Sequence, residues 1–416
     1  MSDEPELGGE ATTASRRANS EQDHIQAEKF LREHQLIVCV GPGGVGKTSV
    51  AATLALEAAR RGRRALVLTI DPARRLATAL GLDGLDDSVR AVPTDELLRY
   101  GARIEGRLDA AMLETRASYD SLIERLNGAG ESTRRILENR VYQAFSRTLA
   151  RSHAYVAMER LYDVVKSGEY DLVVLDTPPT RSALDILDAP GRLARFLDDE
   201  AVRWFLKPRF AGGALSRLLP TGGAAATRIL GMLASRQLVE ELVGFFSVLW
   251  HLKEGFQERA EEVQRMLRAD STAFCLVCSP SRTSLWDAAY LRDGLLERGV
   301  PLGAVIFNRA YVPRASDPSR KVGWATPRDP AQRLGSIGLE GRRVSEAMLV
   351  LLHELAKLRQ DTAAWNHVAQ AATDRFTERL PKDCLNVRLP ELSEDPRDLI
   401  DLLQLSRALF DWETRA

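Results

Sequence analysis

Large apolar residues in this chain fall into short unbroken runs separated by long stretches with a helical rhythm. Residues 36–40 (LIVCV), 64–70 (RALVLTI), 171–175 (DLVVL), 272–278 (TAFCLVC) and 303–307 (GAVIF) are such runs, and 385–389 is a weaker one. A strand covered on both faces has no reason to alternate, so these runs predict strands of a parallel sheet. Ahead of the first run, 25–32, and between later ones, 50–61 and 284–298, the chain has a helical pattern, and Gly62 stops the second of these. The runs lie too far apart for hairpins, which leaves right-handed crossovers and an α/β fold with a doubly wound, mostly parallel sheet.

Two intervals, 71–171 and 176–272, run to about 95 residues, too long for structureless loops in a compact domain. Both are helix-patterned, which predicts a helical subdomain built from insertions at about 85–168 and 185–270. Residues 1–21 hold almost no large apolar side chains and read as a disordered tail, leaving 22–416 as the folded domain.

With 44% apolar and 28% charged residues among 416, the chain can bury a sizeable core. Its 57 Lys and Arg nearly cancel 58 Asp and Glu, so no net field favours nucleic acid, and no nucleic-acid partner is expected. Four cysteines are too few for a disulfide framework and suit a reducing compartment. The N-terminus is acidic where a signal peptide is basic, and no apolar run approaches the roughly 20 residues of a membrane span, so a soluble cytoplasmic protein is expected.

The strongest chemical signal follows the first predicted strand. Gly41-Pro42-Gly43-Gly44-Val45-Gly46-Lys47-Thr48 fits the phosphate-loop pattern G-x-x-x-x-G-K-[ST], with Ser49 next in the helix that follows. Glycines there let successive backbone N–H groups face phosphate oxygens, and the helix points its positive end at the same anion. Lys47 reaches the β and γ phosphates, and the Thr48 hydroxyl is placed to ligate Mg²⁺. Asp71 and Asp176 stand at carboxyl ends of predicted strands, where ligands bind in open α/β sheets. Phosphoryl transfer needs a strand-end Asp for Mg²⁺ and a group that positions water, while the plainer role for either Asp is to cap the helix after it.

Taken together, GPGGVGKTS (41–49), TIDPARRLA (69–77) and VVLDTPPTRSALDIL (173–187) resemble the ArsA family of P-loop ATPases. That family includes arsenite-pump-driving ATPases and ATPases that guide tail-anchored membrane proteins, and is related to MinD and ParA. The similarity extends through FCLVCSP (274–280) and VIFNRAY (305–311) to NVRLPEL (386–392). It implies a P-loop NTPase fold, ATP and Mg²⁺ as ligands, and a nucleotide-driven homodimer. It also implies that Asp71 positions the attacking water, that Asp176 supports Mg²⁺ with Thr48, and that Asn308 contacts adenine. GTP is the weaker candidate, because Asn308 is followed by Arg309-Ala310-Tyr311 and not by the rest of an Asn-Lys-x-Asp element.

The match departs from the family in places that bear on mechanism. The family usually carries a second lysine after the first glycine, where this chain has Pro42, so activation across a dimer needs another charge. Arg74, Arg75 and Arg181 flank the two switch motifs and are candidates for it. Cys275 and Cys278 have half of a zinc pattern, but residues three apart on a strand face opposite sides, so they read as core and no zinc is expected. No cysteine lies in 85–270, which argues against arsenite pumping. Residues 201–239 carry six basic and no acidic side chains among Trp204, Phe205 and Phe210; the stretch either engages a protein client or an acidic membrane surface, or packs the helical subdomain. Two functions follow: an Mg²⁺-dependent ATPase that moves its helical subdomain, or a weakly hydrolysing switch or scaffold that binds a partner in one nucleotide state.

Overall fold

The computed structural model describes residues 25–71, 75–113, 130–139, 153–178, 253–310, 346–392 and 396–410, with positions 124, 128, 143, 184, 187 and 188. The expected tail 1–21, the basic stretch 201–239, Arg74 and Arg181 lie outside the described residues.

Eight strands form one sheet: β1 (Leu36–Val40), β2 (Arg64–Thr69), β3 (Arg90–Ala91), β4 (Arg107–Met112), β5 (Leu172–Asp176), β6 (Thr272–Cys278), β7 (Leu302–Ala310) and β8 (Leu385–Pro390). Their order is β3-β4-β2-β5-β1-β6-β7-β8, and every pairing is parallel except β3 with β4. The expected doubly wound, mostly parallel sheet is thus observed. All strands but β3 share one direction, so their carboxyl ends form a single edge, with β1 in the middle.

Side chains alternate between two core layers. Ile37, Cys39, Val67, Val174, Cys275, Val277 and Ile306 face helix α1 (Lys47–Arg60). The alternate residues Val38, Leu68, Leu175, Leu276 and Phe307 face the other way, towards Met158, Leu161, Val263, Leu291 and Phe376. In helix order these come from α4 (His153–Ser167), α5 (Lys253–Leu267), α6 (Arg282–Glu297) and α7 (Glu346–Thr377), which follow α2 (Arg75–Ala79) and α3 (Glu131–Glu138). Cys275 and Cys278 lie on opposite faces, as their spacing demands.

Helix α1 is apolar nearly all round because it has neighbours on both sides. Alanines at 51, 52, 55, 58 and 59 bring it close to the sheet, and α8 (Leu399–Phe410) covers its outer side. Each buried Leu or Val in this layer contributes roughly 1.5–3 kcal/mol. Glu57 is buried among the apolar residues and is fully occupied: it accepts from Arg60 Nη1 (2.6 Å), Arg61 Nε (2.7 Å) and Ser406 Oγ (2.5 Å), which ties α1 to α8.

The structure corrects the predicted extent of the helical insertion. The stretch from about 85 is not all helix: it holds β3 and β4, which extend the sheet. β4 reads RLDAAM, with no β-branched residue and an aspartate at its centre, so its sequence carries no strand signal. Asp109 tolerates burial because Tyr170 Oη (2.8 Å) and Arg107 Nη2 (2.6 Å) both reach its Oδ2. Helices α4 and α5, also inside the predicted insertions, pack on the sheet through Met158, Leu161, Val263 and Leu267.

At the amino edge of the sheet, Asp171 accepts from Arg64 N (2.9 Å), Nε (3.2 Å) and Nη2 (2.8 Å). These bonds lower its pKa to about 2. A depressed carboxylate contributes stability above its unfolded pKa of 3.8, and the contribution disappears as pH falls towards the folded value. Asp171→Asn is therefore expected to melt below the wild type at pH 7, with the gap closing as pH drops from about 4 to about 2. Thermal melts across that range check this; a gap independent of pH would show that the charge is not what matters.

Candidate phosphate site at the carboxyl edge

β1 ends at Val40 and the chain enters the glycine-rich loop. Gly41 runs so close to β6 that a Cβ on it would lie 2.0 Å from Val277 O. Gly44 and Gly46 have φ of 73° and 89°, the left-handed region that side chains resist. Gly46 is the N-cap of α1 and supplies no side-chain cap, so the first N–H groups of the helix face the loop without that competitor. Gly43 and Gly44 are exposed, Val45 is buried in the core, and Ser49 continues the helix, its carbonyl accepting from Thr53 Oγ1 (2.7 Å).

Lys47 is buried, and its Nζ donates to Pro42 O at 2.8 Å, folding the amine across its own loop. Burial lowers its pKa, while Asp176 and Asp71 raise it. The acceptor is a main-chain carbonyl that any residue at 42 would offer, and Pro42 adds no side-chain charge to the loop. Arg75 is exposed at the start of α2, and its positive charge repels that of Lys47, helping to lower the lysine's pKa.

Strand register brings the acidic residues to this loop. Cys39 and Thr69 are both Cα partners of Asp176, and parity places all three side chains on the α1 face. Asp176 Oδ2 accepts from Thr48 Oγ1 (2.8 Å) and Thr69 Oγ1 (3.0 Å). Asp176 Oδ1 is buried with no hydrogen-bond partner. Burial raises the carboxyl to about 6, against the pull of the two threonine hydroxyls and Lys47. Asp71 is partly buried just beyond β2, and its N–H donates to Thr69 Oγ1 at 3.1 Å. Thr69 thus links the two aspartates. Asn308, near the end of β7, is buried on the same face.

Sequence reasoning brought Lys47, Thr48, Asp71, Asp176 and Asn308 to one place, and the structure collects them at one edge. It missed Thr69 and Thr177, whose Oγ1 donates to Cys39 O at 2.7 Å and joins the chain after β5 to β1. The available signals were a threonine closing the aliphatic run of β2 and one following Asp176 directly after β5.

The family model described as Anion-transporting ATPase matches residues 34–323. The "ATPase ARSA1" of Chlamydomonas reinhardtii is 26% identical over 289 residues, which is 67% of this chain and 35% of that protein. The "ATPase GET3" of Malassezia globosa is 23% identical over 279 residues, covering 67% of this chain and 73% of the relative. The "Arsenical pump-driving ATPase" of Escherichia coli is 35% identical over 166 residues, 39% of this chain and 24% of the relative. The matched region thus spans about a third of the algal protein and about a quarter of the bacterial one.

Thr69→Val keeps the shape of the side chain and removes a donor to Asp176 and an acceptor for the Asp71 N–H. A loss of about 1–2 kcal/mol in urea unfolding is expected from these two bonds, one buried and one partly buried. An unfolding free energy equal to that of the wild type would show that Thr69 does not hold the carboxylate.

Proposed function

The chain belongs to the anion-transporting ATPase family of the ArsA type, and from that premise we propose that it hydrolyses ATP to ADP and phosphate with Mg²⁺. The turnover drives a conformational change of the helical insertions against the sheet. The observation that supports this most directly is Asp176: one carboxylate oxygen is held by Thr48 and Thr69, and the other is buried without a partner beside the lysine of a phosphate loop.

Thr48 and Asp176 would hold the metal, since a hydroxyl and a carboxylate are the hard oxygen donors that Mg²⁺ takes. Bound there, the ion supplies neutralisation of charge on the phosphate oxygens. Lys47 exchanges the Pro42 carbonyl for a phosphate oxygen, a stronger acceptor because it is charged. The backbone N–H groups of the loop and the start of α1 hold the rest of the phosphate chain. Asp71, fixed by Thr69, orients the attacking water, and Asn308 takes part in reading adenine. Arg75 is the described candidate for the charge that Pro42 does not supply, contributed in a homodimer; Arg74 beside it and Arg181 after the second switch motif are the others.

The resemblance to targeting ATPases supports handling of a protein client or an acidic membrane surface through 201–239, and the lack of cysteine in 85–270 argues against arsenite as cargo. Among the described residues, no helix is long and apolar enough to cross a membrane. Pro42 also favours a second reading, a weakly hydrolysing switch that signals by binding a partner in one nucleotide state.

Mg²⁺-ATP turnover per protomer, followed over a wide range of protein concentration with Lys47→Ala as blank, separates the two. Turnover above the blank that rises with concentration and drops to the blank in Asp176→Asn is the expected result. Turnover at the blank while ATP still binds selects the switch, and absence of ATP binding removes both readings.

A further inference from the structure

Asn308 does more in this structure than wait for a base. Its Nδ2 donates to Val45 O at 2.8 Å, inside the phosphate loop. The same nitrogen lies over the next residue, since a Cβ on Gly46 would come within 2.4 Å of it. The side chain is only 7% exposed, so water does not substitute easily for this donor.

The strand delivers the amide to this spot by parity and by a break in pairing. Ala304 and Ile306 face α1, so Asn308 faces it too. Immediately afterwards the register with β8 shifts between Phe307 and Ala310, and Arg309 takes φ of 58°, a conformation rare for a residue with a side chain. Pairing is therefore irregular at Asn308 and Arg309 and resumes at Ala310 with Pro390.

The consequence follows from peptide geometry. The unit joining Val45 to Gly46 is planar and trans, so its C=O and N–H point in opposite directions. A donor that fixes the carbonyl on the β7 side also aims the Gly46 N–H away from β7. In a phosphate loop that direction is where an oxygen of the ligand is met. Gly46 has a glycine's freedom at φ 89° and cannot hold this peptide by itself.

We infer that Asn308 is a positioning residue for the phosphate loop, acting through the 45–46 peptide on any polyphosphate and not only on a ligand with adenine. The inference rests on the reading of 41–48 as a phosphate loop. A residue that only contacts the base matters to ATP and is silent towards inorganic tripolyphosphate, which has no base.

The test compares wild type, Asn308→Ala and Asn308→Leu, the last having nearly the same size and shape but no donor nitrogen and no charge. Affinities for Mg²⁺-ATP and for inorganic tripolyphosphate with Mg²⁺ are measured by calorimetry, and amide hydrogen exchange is followed in the ligand-free proteins. Both ligands are expected to weaken by about tenfold in each variant, the effect of one lost buried hydrogen bond. Exchange is expected to accelerate across 41–50 and to stay unchanged in α8. Tripolyphosphate affinity at the wild-type value with ATP alone weakened overturns the inference, as does unchanged exchange in the loop. Acceleration spread over the whole chain also overturns it, because the role is then general stability. A wild type that binds neither ligand removes the phosphate-loop reading itself, a result distinct from losses confined to the variants.

Discussion

The Asp176 carboxylate stands at the end of a strand buried on both faces, where loss of hydration works against its charge. Two threonine hydroxyls, from α1 and from β2, satisfy one oxygen and leave the other open. The geometry around it depends on this arrangement. β2, β5 and β1 must keep their register for Thr69 to reach it, and α1 must begin where it does for Thr48 to do so. A carboxylate this unfavourable to bury, next to the lysine of a glycine-rich loop, is the kind of group that functional sites hold, and it supports the proposal of a metal and phosphate centre.

At the carboxyl edge of the central strands the polar side chains fall on one face. Cys39, Thr69, Asp176 and Asn308 all project towards α1, while Val40, Leu68, Leu175, Leu276 and Phe307 form an unbroken apolar layer behind them. Edge-on packing of Phe307 against Phe376, at 5.8 Å and 88°, and the guanidinium of Arg292 over the same ring close that layer under β7. A shift of one residue in any central strand would exchange the two sets, so the hydrophobic pattern that holds the fold also aims the chemistry.

How much of this was legible in the sequence depended on whether neighbours in space were neighbours in the chain. β1, its loop and α1 are continuous, and the pattern from Leu36 to Arg60 specifies them almost residue by residue. β6 matched its predicted run, and β7 and β8 lay close to theirs, because buried parallel strands need unbroken apolar sequence. β4 was hidden because Asp109 is solvated by Tyr170 and Arg107, which come from outside its centre, and no local pattern announces a partner 61 positions away. Thr69 and Thr177 were missed for a related reason: their roles are defined by register, which sequence does not display. Asn308 was singled out through family resemblance, where a base contact is only what the resemblance implies, and its bond to Val45 spans 263 positions and becomes visible only in three dimensions.

The same alternation decides the fate of the thiols. Cys39, Cys275, Cys278 and Cys384 are free and buried, and Cys39 is the cross-strand neighbour of Cys275. Contact with Cys275 and burial raise the Cys39 thiol well above its ordinary value, and burial raises Cys278 and Cys384. Reactivity belongs to the thiolate, so in the closed fold these sulfurs are apolar filler. An alkylating reagent would meet them only when the sheet opens, and the pace of their modification would then act as a clock for rare excursions out of the native state.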